Sequence, residues 1–224
     1  MVFLTDLSPS MQNYLKVIWG LQEWSEDPVS TTMIAHGVGV KLSTASDAVR
    51  KLTDQGLAEH LRYGSVGLTT SGRALALAMV RRHRLIESFL VQVLGYGWDE
   101  VHDEAEHLEH SVSDFMIERI DALLGFPVRD PHGDPIPSAE GVIQHPDAVV
   151  LTKASAGTRV RVRRISDSDA AMLQYFAEQG VGVDTELEVL PAEPYSEAVA
   201  VRVVDTTERV TLGAAAANSV WVSS

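Results

Sequence analysis

The chain has 224 residues, a formal net charge of −13 and no cysteine. Without cysteine there are no disulfides, zinc fingers, cysteine nucleophiles or iron–sulfur clusters, and any metal site must use histidine, carboxylate, amide or similar ligands. A hydrophobic fraction of 45% is enough for packed cores and too high for a disordered chain. No apolar run reaches the ~18 residues of a membrane helix, and the first residues do not form a secretory signal, so we expect a cytoplasmic protein.

Charge is distributed unevenly along the chain. Residues 1–90 contain 9 basic and 8 acidic side chains, whereas residues 91–224 contain 9 basic and 23 acidic ones. The first part, at +1, can approach DNA phosphates without strong repulsion, while the remainder carries −14. DNA binding is therefore compatible with the first part, provided that its basic residues form local patches.

The first 75 residues have the pattern of a winged helix-turn-helix. Ser30 is expected to cap a short second helix, Gly37 and Gly39 to form a tight turn, Ser43 to begin a third helix, and Gly56 to end it. Two short strands joined by a tight loop come next. The expected elements are helices over residues 11–24, 31–36 and 44–55, and strands over residues 57–61 and 66–69.

The third helix is the predicted DNA-reading element. In a helix-turn-helix, the first residues of this helix reach base edges and phosphates. Hydroxyl groups can bond to either, a threonine methyl can touch a thymine methyl, and a carboxylate can accept from cytosine. Ser43 is also expected to cap the helix, and Asp47 has the alternative of simply facing solvent. The predicted DNA-binding residues are Lys41, Ser43, Thr44, Ser46, Asp47, Arg50, Lys51 and Arg62.

Two further helices, over residues 71–94 and 98–124, carry histidines and glutamates at helical spacing. Those on the second helix point within roughly 100° of each other. A short glycine turn between antiparallel helices would bring both sets together. Spacing alone leaves metal binding and a solvated acidic face about equally favoured. The residues concerned are His83 and Glu87 on the first helix, and His102, Glu106, Glu109 and His110 on the second.

Motifs of enzymes are not found in the sequence. The metalloprotease pattern H-E-x-x-H is missing, since residues 102–107 read HDEAEH, and there is no G-x-S-x-G, P-loop or dinucleotide fingerprint. A metal-dependent hydrolase is therefore the least favoured alternative, and we expect no enzyme. The other histidines are interpreted as bystanders or surface residues: His36, His60, His107, His132 and His145.

The last third of the chain changes to short strands. After a loop rich in proline and glycine, strands are expected over residues 160–165, 186–190, 198–204, 209–212 and 220–222, interrupted by one helix over 169–179. Several short strands of this kind favour a small β-barrel.

Five stretches, QNYLKVIW, LSTASDAVRKLTDQGL, MVRRHRLIESFL, VHDEAEHLEHSVSD and DPHGDPIP, resemble the diphtheria toxin repressor family, and within it the actinobacterial manganese transport regulator branch. The resemblance covers nearly the whole chain and is strongest through about residue 140. It implies a mainly α fold with a β tail. The implied domains are a winged helix-turn-helix DNA-binding domain over 1–75, a helical dimerisation and metal-binding domain over 76–145, and an SH3-like (FeoA-like) small β-barrel over 150–224.

The resemblance also implies two metal sites per subunit. Iron-type members carry a cysteine at the position of Glu106, and a carboxylate there favours Mn(II) over softer ions. A residue of the first helix completes the primary site: methionine in iron-type members, aspartate in manganese-type members, and Asn13 here. The implied ligands are His83, Glu87, His102 and Asp169 at the ancillary site, and Glu106, Glu109, His110 and Asn13 at the primary site.

The function implied is a Mn(II)-activated homodimeric transcriptional repressor that binds palindromic, double-stranded operator DNA and controls manganese homeostasis genes. Two Mn²⁺ per subunit are expected as cofactors, and neither a membrane nor a small organic substrate is expected as a partner. An Fe²⁺-responsive repressor of the same fold is the alternative.

Overall fold

The computed structural model describes residues 2–61, 64–191 and 195–223. The chain forms two compact units, one of Met1–His83 with Pro137–Val142, and one of Arg84–Ile136 with Ile143–Ser224. Within the described ranges, no helix is both long and apolar enough to cross a membrane.

The first unit contains three helices followed by a β-hairpin, in the order expected for a winged helix-turn-helix. A 3-10 turn at Leu4–Asp6 precedes them, and the two strands pair antiparallel. The elements are α1 (Pro9–Glu23), α2 (Thr31–Val38), α3 (Leu42–Asp54), β1 (Ala58–His60), β2 (Val66–Leu68) and the first part of α4 (Thr70–Leu94).

Ser30 caps α2 as predicted, but Gly37 does not belong to the turn that follows the helix. The Ser30 hydroxyl accepts a hydrogen bond from the Met33 amide at 3.2 Å, and Gly39, with φ of 71°, ends the helix. The prediction that Gly37 belongs to the turn is wrong, because Gly37 lies inside α2. A Cβ at Gly37 would lie 2.7 Å from Val17 Cγ1, so glycine here allows α1 and α2 to pack closely.

Helix α3 begins earlier than expected. Its N-cap is Lys41, whose extended backbone offers its carbonyl to the Ala45 amide at 3.1 Å. Ser43 therefore lies within the first turn, and the prediction that it starts and caps the helix is wrong. The inward face of α3 agrees with the sequence and consists of Ala45, Ala48, Val49 and Leu52.

The helical part of the second unit contains a break that the sequence analysis missed. Residues 98–124 form two helices, α5 (Val101–Leu108) and α6 (Asp114–Leu123), instead of one. The reason is local, since Ser113 has an extended backbone and its hydroxyl accepts from the Met116 amide at 3.2 Å, which starts a new helix. The core here, which includes α4 residues, consists of Leu85, Ile86, Leu90, Val101, Ala105, Ile117, Ile120 and Ile136.

The β-rich part forms a six-stranded antiparallel sheet with two short helices. The elements are β3 (Val149–Val150), β4 (Arg159–Ile165), α7 (Ala170–Glu178), β5 (Glu186–Val189), β6 (Val199–Val203), β7 (Arg209–Leu212), α8 (Ala214–Asn218) and β8 (Val220–Ser223). The strand order in the sheet is β3-β8-β4-β5-β6-β7. All five predicted strands and the predicted helix are present, whereas the two-residue β3 and the alanine-rich α8 were not predicted.

Candidate metal centre and nucleic-acid interface

A carboxylate–imidazole cluster lies on α4 and α5 and on the loop before α7. Glu87 on α4 is fully buried, and its Oε1 lies 3.6 Å from Nδ1 of His102 on α5. Asp167 Oδ2 lies 3.3 Å from the same nitrogen. Each of the three offers a ligand atom within 4.8 Å of the others. Two carboxylates and one imidazole at this separation fit a divalent cation such as Mn(II), Fe(II) or Zn(II).

Hydrogen bonds change the acidity of His102. Its contact with Asp167, followed by that with Glu87, raises the pKa of His102 from 6.5 to about 10, while burial acts in the opposite direction. The imidazole is therefore protonated at neutral pH when no cation is present. A metal ion that binds this nitrogen must displace the proton.

The structure brings Asp167 to this cluster in the place expected for Asp169. Asp169 is exposed and is the N-cap of α7, where its Oδ1 accepts a hydrogen bond from the Met172 amide at 3.1 Å. The two aspartates lie in the same short loop between β4 and α7, and sequence spacing does not distinguish them. The capping role, however, is readable from an aspartate directly before an apolar helix.

His83 lies one helical turn before Glu87 on α4, so the two side chains share a face of that helix. It is buried, at the end of the first unit. Within that unit, the Lys16 ammonium lies 3.5 Å from Nδ1 of His83.

A second cluster lies at the end of α5. His102 Nε2 is 3.8 Å from Glu106 Oε1, and His110 Nε2 is 3.5 Å from Glu109 Oε1. Carboxylate oxygens of Glu106 and Glu109 lie within 4.8 Å of each other, and Glu109 is fully buried. The structure thus assembles three of the residues assigned to the primary site without any sulfur donor.

Asn13, the fourth residue assigned to that site, lies on α1 in the first unit. Its Oδ1 is shielded from solvent and has no hydrogen-bond partner among the described residues. A buried carbonyl oxygen in this condition carries a desolvation cost that a cation would offset.

His132 is fully buried, so its interpretation as a surface residue is wrong. The loop around it enters the interior because Asp130 Oδ1 accepts hydrogen bonds from the amides of His132 and Asp134, at 2.9 and 3.0 Å. His132 Nε2 in turn donates to the Trp98 carbonyl at 2.6 Å. The other bystander histidines are exposed as expected: His36, His60, His107 and His145.

One face of α3 presents the predicted DNA-binding residues to solvent. Arg50 and Asp47 form an ion pair at 2.8 Å, and the Ser46 hydroxyl donates to the Leu42 carbonyl. Sequence reasoning missed the exposed Val40 and Leu42 at the start of the helix, which can contact thymine methyl groups. Arg62 lies outside the described residues. The exposed predicted residues are Lys41, Ser43, Thr44, Ser46, Asp47, Arg50 and Lys51.

Comparison with known protein families gives a match to three consecutive parts of the chain. Residues 6–66 match the N-terminal DNA-binding domain of iron dependent repressors. Residues 69–138 match the metal binding and dimerisation domain of iron dependent repressors, and residues 149–224 match the FeoA domain. The predicted fold class is therefore confirmed: a DNA-binding domain, a helical dimerisation domain and a C-terminal FeoA (SH3-like) domain with a β-sheet.

Individual relatives agree with these matches. The iron-dependent repressor IdeR of Mycobacterium leprae is 35% identical over 166 residues, which cover 71% of this chain and 72% of the relative. The diphtheria toxin repressor of Corynebacterium diphtheriae is 34% identical over 158 residues, which cover 70% of this chain and 67% of the relative.

A solved structure of a manganese-dependent transcriptional repressor in complex with manganese is 54% identical. It has a TM-score of 0.91, with 96% of this chain and 99% of that chain covered. All three relatives are repressors by name, and residues 6–66 match a DNA-binding domain. The prediction that the chain is a regulator and not an enzyme is therefore confirmed. The chain belongs to the diphtheria toxin repressor family, in a branch similar to manganese regulators, and is a metal-responsive, DNA-binding transcriptional repressor.

Proposed function

We propose that this repressor is activated by Mn(II), that it binds palindromic operator DNA as a homodimer, and that it controls genes of manganese homeostasis. The observation that carries the proposal is the sulfur-free cluster of Glu106, Glu109 and His110. Carboxylate and imidazole donors suit Mn(II), whereas a thiolate at the position of Glu106 would favour softer ions. The 54% identical relative named as a complex with manganese supports the same metal.

Each subunit would hold one ion at an ancillary site and one at a primary site. The ancillary site would use Asp167 in place of Asp169, because Asp167 is the aspartate in contact with His102. The domain boundaries at residues 75, 76, 145 and 150 remain predictions. The proposed ligands are His83, Glu87, His102 and Asp167 at the ancillary site, and Asn13, Glu106, Glu109 and His110 at the primary site.

Activation would work by linkage between metal and DNA. Asn13 belongs to the matched DNA-binding domain, whereas Glu106 and Glu109 belong to the matched dimerisation domain. A cation held by both sets favours the conformation in which these residues are close and shifts the population toward it. A coupling of about 1–3 kcal/mol corresponds to a roughly 5- to 150-fold change in DNA affinity.

The homodimer is supported by exposed apolar side chains around α6 in the matched dimerisation domain. Phe126 and Val128, directly after α6, are 68% and 78% exposed, and Phe115 and Leu123 on α6 are also exposed. Monomeric proteins rarely expose several large apolar groups together. A two-fold dimer would present two copies of α3 to two half-sites, which is why the operator is expected to be palindromic. Such a repressor would work in the cytoplasm.

The test is DNA binding as a function of metal. A duplex selected from a random pool by the manganese-loaded protein serves as the probe in a gel shift or anisotropy titration. We expect tight binding with Mn(II) and none with a chelator, and metal-indifferent binding would contradict the proposal.

An Fe(II)-responsive repressor is the second candidate, because the IdeR relative is named as an iron-dependent repressor. In that case, Fe(II) without oxygen would activate at a lower free concentration than Mn(II), and Glu106→Cys would leave the preference unchanged. With the proposed function, Glu106→Cys moves the preference away from Mn(II).

A further inference from the structure

A second cluster of three buried side chains lies beside the ancillary cluster and shares only Glu87 with it. Glu87, Asp130 and His132 are all buried, and each offers a ligand atom within 4.8 Å of the other two. Asp130 and His132 lie on the loop between α6 and β3, and Glu87 lies on α4.

The hydrogen bonding of His132 fixes which nitrogen can bind a ligand. Nε2 lies 2.6 Å from the Trp98 carbonyl, which only accepts, so Nε2 must carry the proton. In the neutral ring Nδ1 then has a lone pair. Nδ1 is buried and has no hydrogen-bond partner among the described residues. A histidine whose second nitrogen donates to a backbone carbonyl has the arrangement typical of metal-binding histidines.

The lone pair of His132 faces Glu87. Its Nδ1 lies 4.0 Å from Glu87 Oε2, whereas Oε1 of the same carboxylate lies 3.6 Å from Nδ1 of His102. The His132 ring is held in this direction by stacking on Trp98, with centroids 5.8 Å apart. The two oxygens of Glu87 therefore face two different histidines.

Negative charge dominates around this group. Asp134 Oδ1 forms ion pairs with two guanidinium groups, with Arg164 Nε at 2.7 Å and with Arg84 Nη2 at 3.3 Å. Asp130 Oδ2 lies 3.6 Å from Arg84 Nε. The three buried carboxylates of Glu87, Asp130 and Asp134 therefore outnumber these two guanidinium groups and repel each other. A cation would relieve this repulsion.

We propose that Glu87, Asp130 and His132 bind a third divalent cation, with Glu87 as a carboxylate shared with the ancillary site. Two carboxylates and one imidazole suit Mn(II) and related ions. The inference rests on the proposed function only for the occupancy of the neighbouring ancillary site. Because Glu87 is shared, each ion changes the affinity of the other by the same factor. A cation bound by all three residues would also connect the loop of Asp130 and His132 to α4 through Glu87.

Metal stoichiometry tests the proposal. Native protein is dialysed to equilibrium against buffered Mn(II), and bound manganese is measured by elemental analysis. We expect three ions per subunit, and two in His132→Phe, in which a ring of similar size still stacks on Trp98. His107→Phe is the matched control, because His107 is exposed. This control should bind three ions. Two ions in native protein and in both variants would overturn the proposal.

A readout on native protein keeps the test independent of variant folding. Anomalous diffraction from manganese-soaked crystals should show a peak between Glu87, Asp130 and His132, separate from the peak at His102. A peak at His102 with none between Glu87, Asp130 and His132 would overturn the third site, even if DNA binding remained metal-dependent and the proposed function stood. Peaks at both positions with metal-indifferent DNA binding would instead contradict the proposed function and leave the third site standing.

Discussion

Replacing Asp167 by asparagine should weaken the ancillary metal site without unfolding the protein. Asp167 contacts His102 through Oδ2 at 3.3 Å, and its side chain is 27% exposed. Two unit charges about 4 Å apart interact by about 1 kcal/mol in water and about 4 kcal/mol near a protein surface. For a dication the figure doubles to about 2–8 kcal/mol before the cost of desolvation. Since 1.4 kcal/mol is a factor of ten, Asp167→Asn should reduce metal affinity at least tenfold.

Asp169 supplies the matched control, because it lies two residues away and has a different role. Asp169→Ala removes the N-cap of α7 and should cost about 1 kcal/mol of unfolding free energy. It should leave metal affinity unchanged. Asp169→Asn should change neither quantity, because asparagine caps as well as aspartate does.

The assay is calorimetric titration with Mn(II), together with denaturant unfolding of the metal-free protein. If Asp169→Ala weakens metal binding and Asp167→Asn does not, the ancillary ligand is Asp169 and our choice between the two aspartates is refuted.

Four further predictions concern His102, Asn13 and Phe126. Because the pKa of His102 is raised to about 10, metal binding should release a proton, and the apparent metal affinity should rise with pH up to about 10. Calorimetry in buffers of different ionisation enthalpy counts the released proton, and a count of zero contradicts the prediction. In metal-free protein, the contact of protonated His102 with Asp167 contributes its full stabilisation below pH 6.5, and this contribution is lost as pH rises through about 10. The free energy of unfolding from denaturant titrations should therefore be lower at pH 10.5 than at pH 7. Asn13→Asp should lower the Mn(II) concentration that half-activates DNA binding, by adding a charged ligand; an unchanged midpoint removes Asn13 from the primary site. Phe126→Glu should shift the protein toward monomer in sedimentation experiments, whereas a dimer of unchanged affinity would place the interface elsewhere.

Much of the fold could be predicted because its signals are local. Ser30 caps α2 within four residues, and the spacing of α3 residues fixes its buried face. The histidines and glutamates of α4 and α5 were likewise found from helical periodicity alone. Their identity as metal ligands came from family resemblance, since an acidic face shows the same spacing.

The parts that were missed depend on contacts distant in sequence. Asp167 and Asp169 look equivalent in the chain, and only the packing of the loop beside α5 brings Asp167 to His102. His132 lies in a segment rich in proline and glycine, which normally indicates the surface. It is buried because Asp130 supplies hydrogen bonds to the local backbone and Trp98 accepts one from the ring.

The sulfur-free cluster of Glu106, Glu109 and His110 contains no ligand that is lost through thiol oxidation. Thiolate ligands are lost to peroxide through sulfenic acid and disulfide formation, whereas carboxylates do not follow that path. With no cysteine anywhere in the sequence, this repressor contains no thiol that an oxidant can modify. It can therefore continue to report metal under oxidising conditions that inactivate a thiolate-ligated sensor of the same fold.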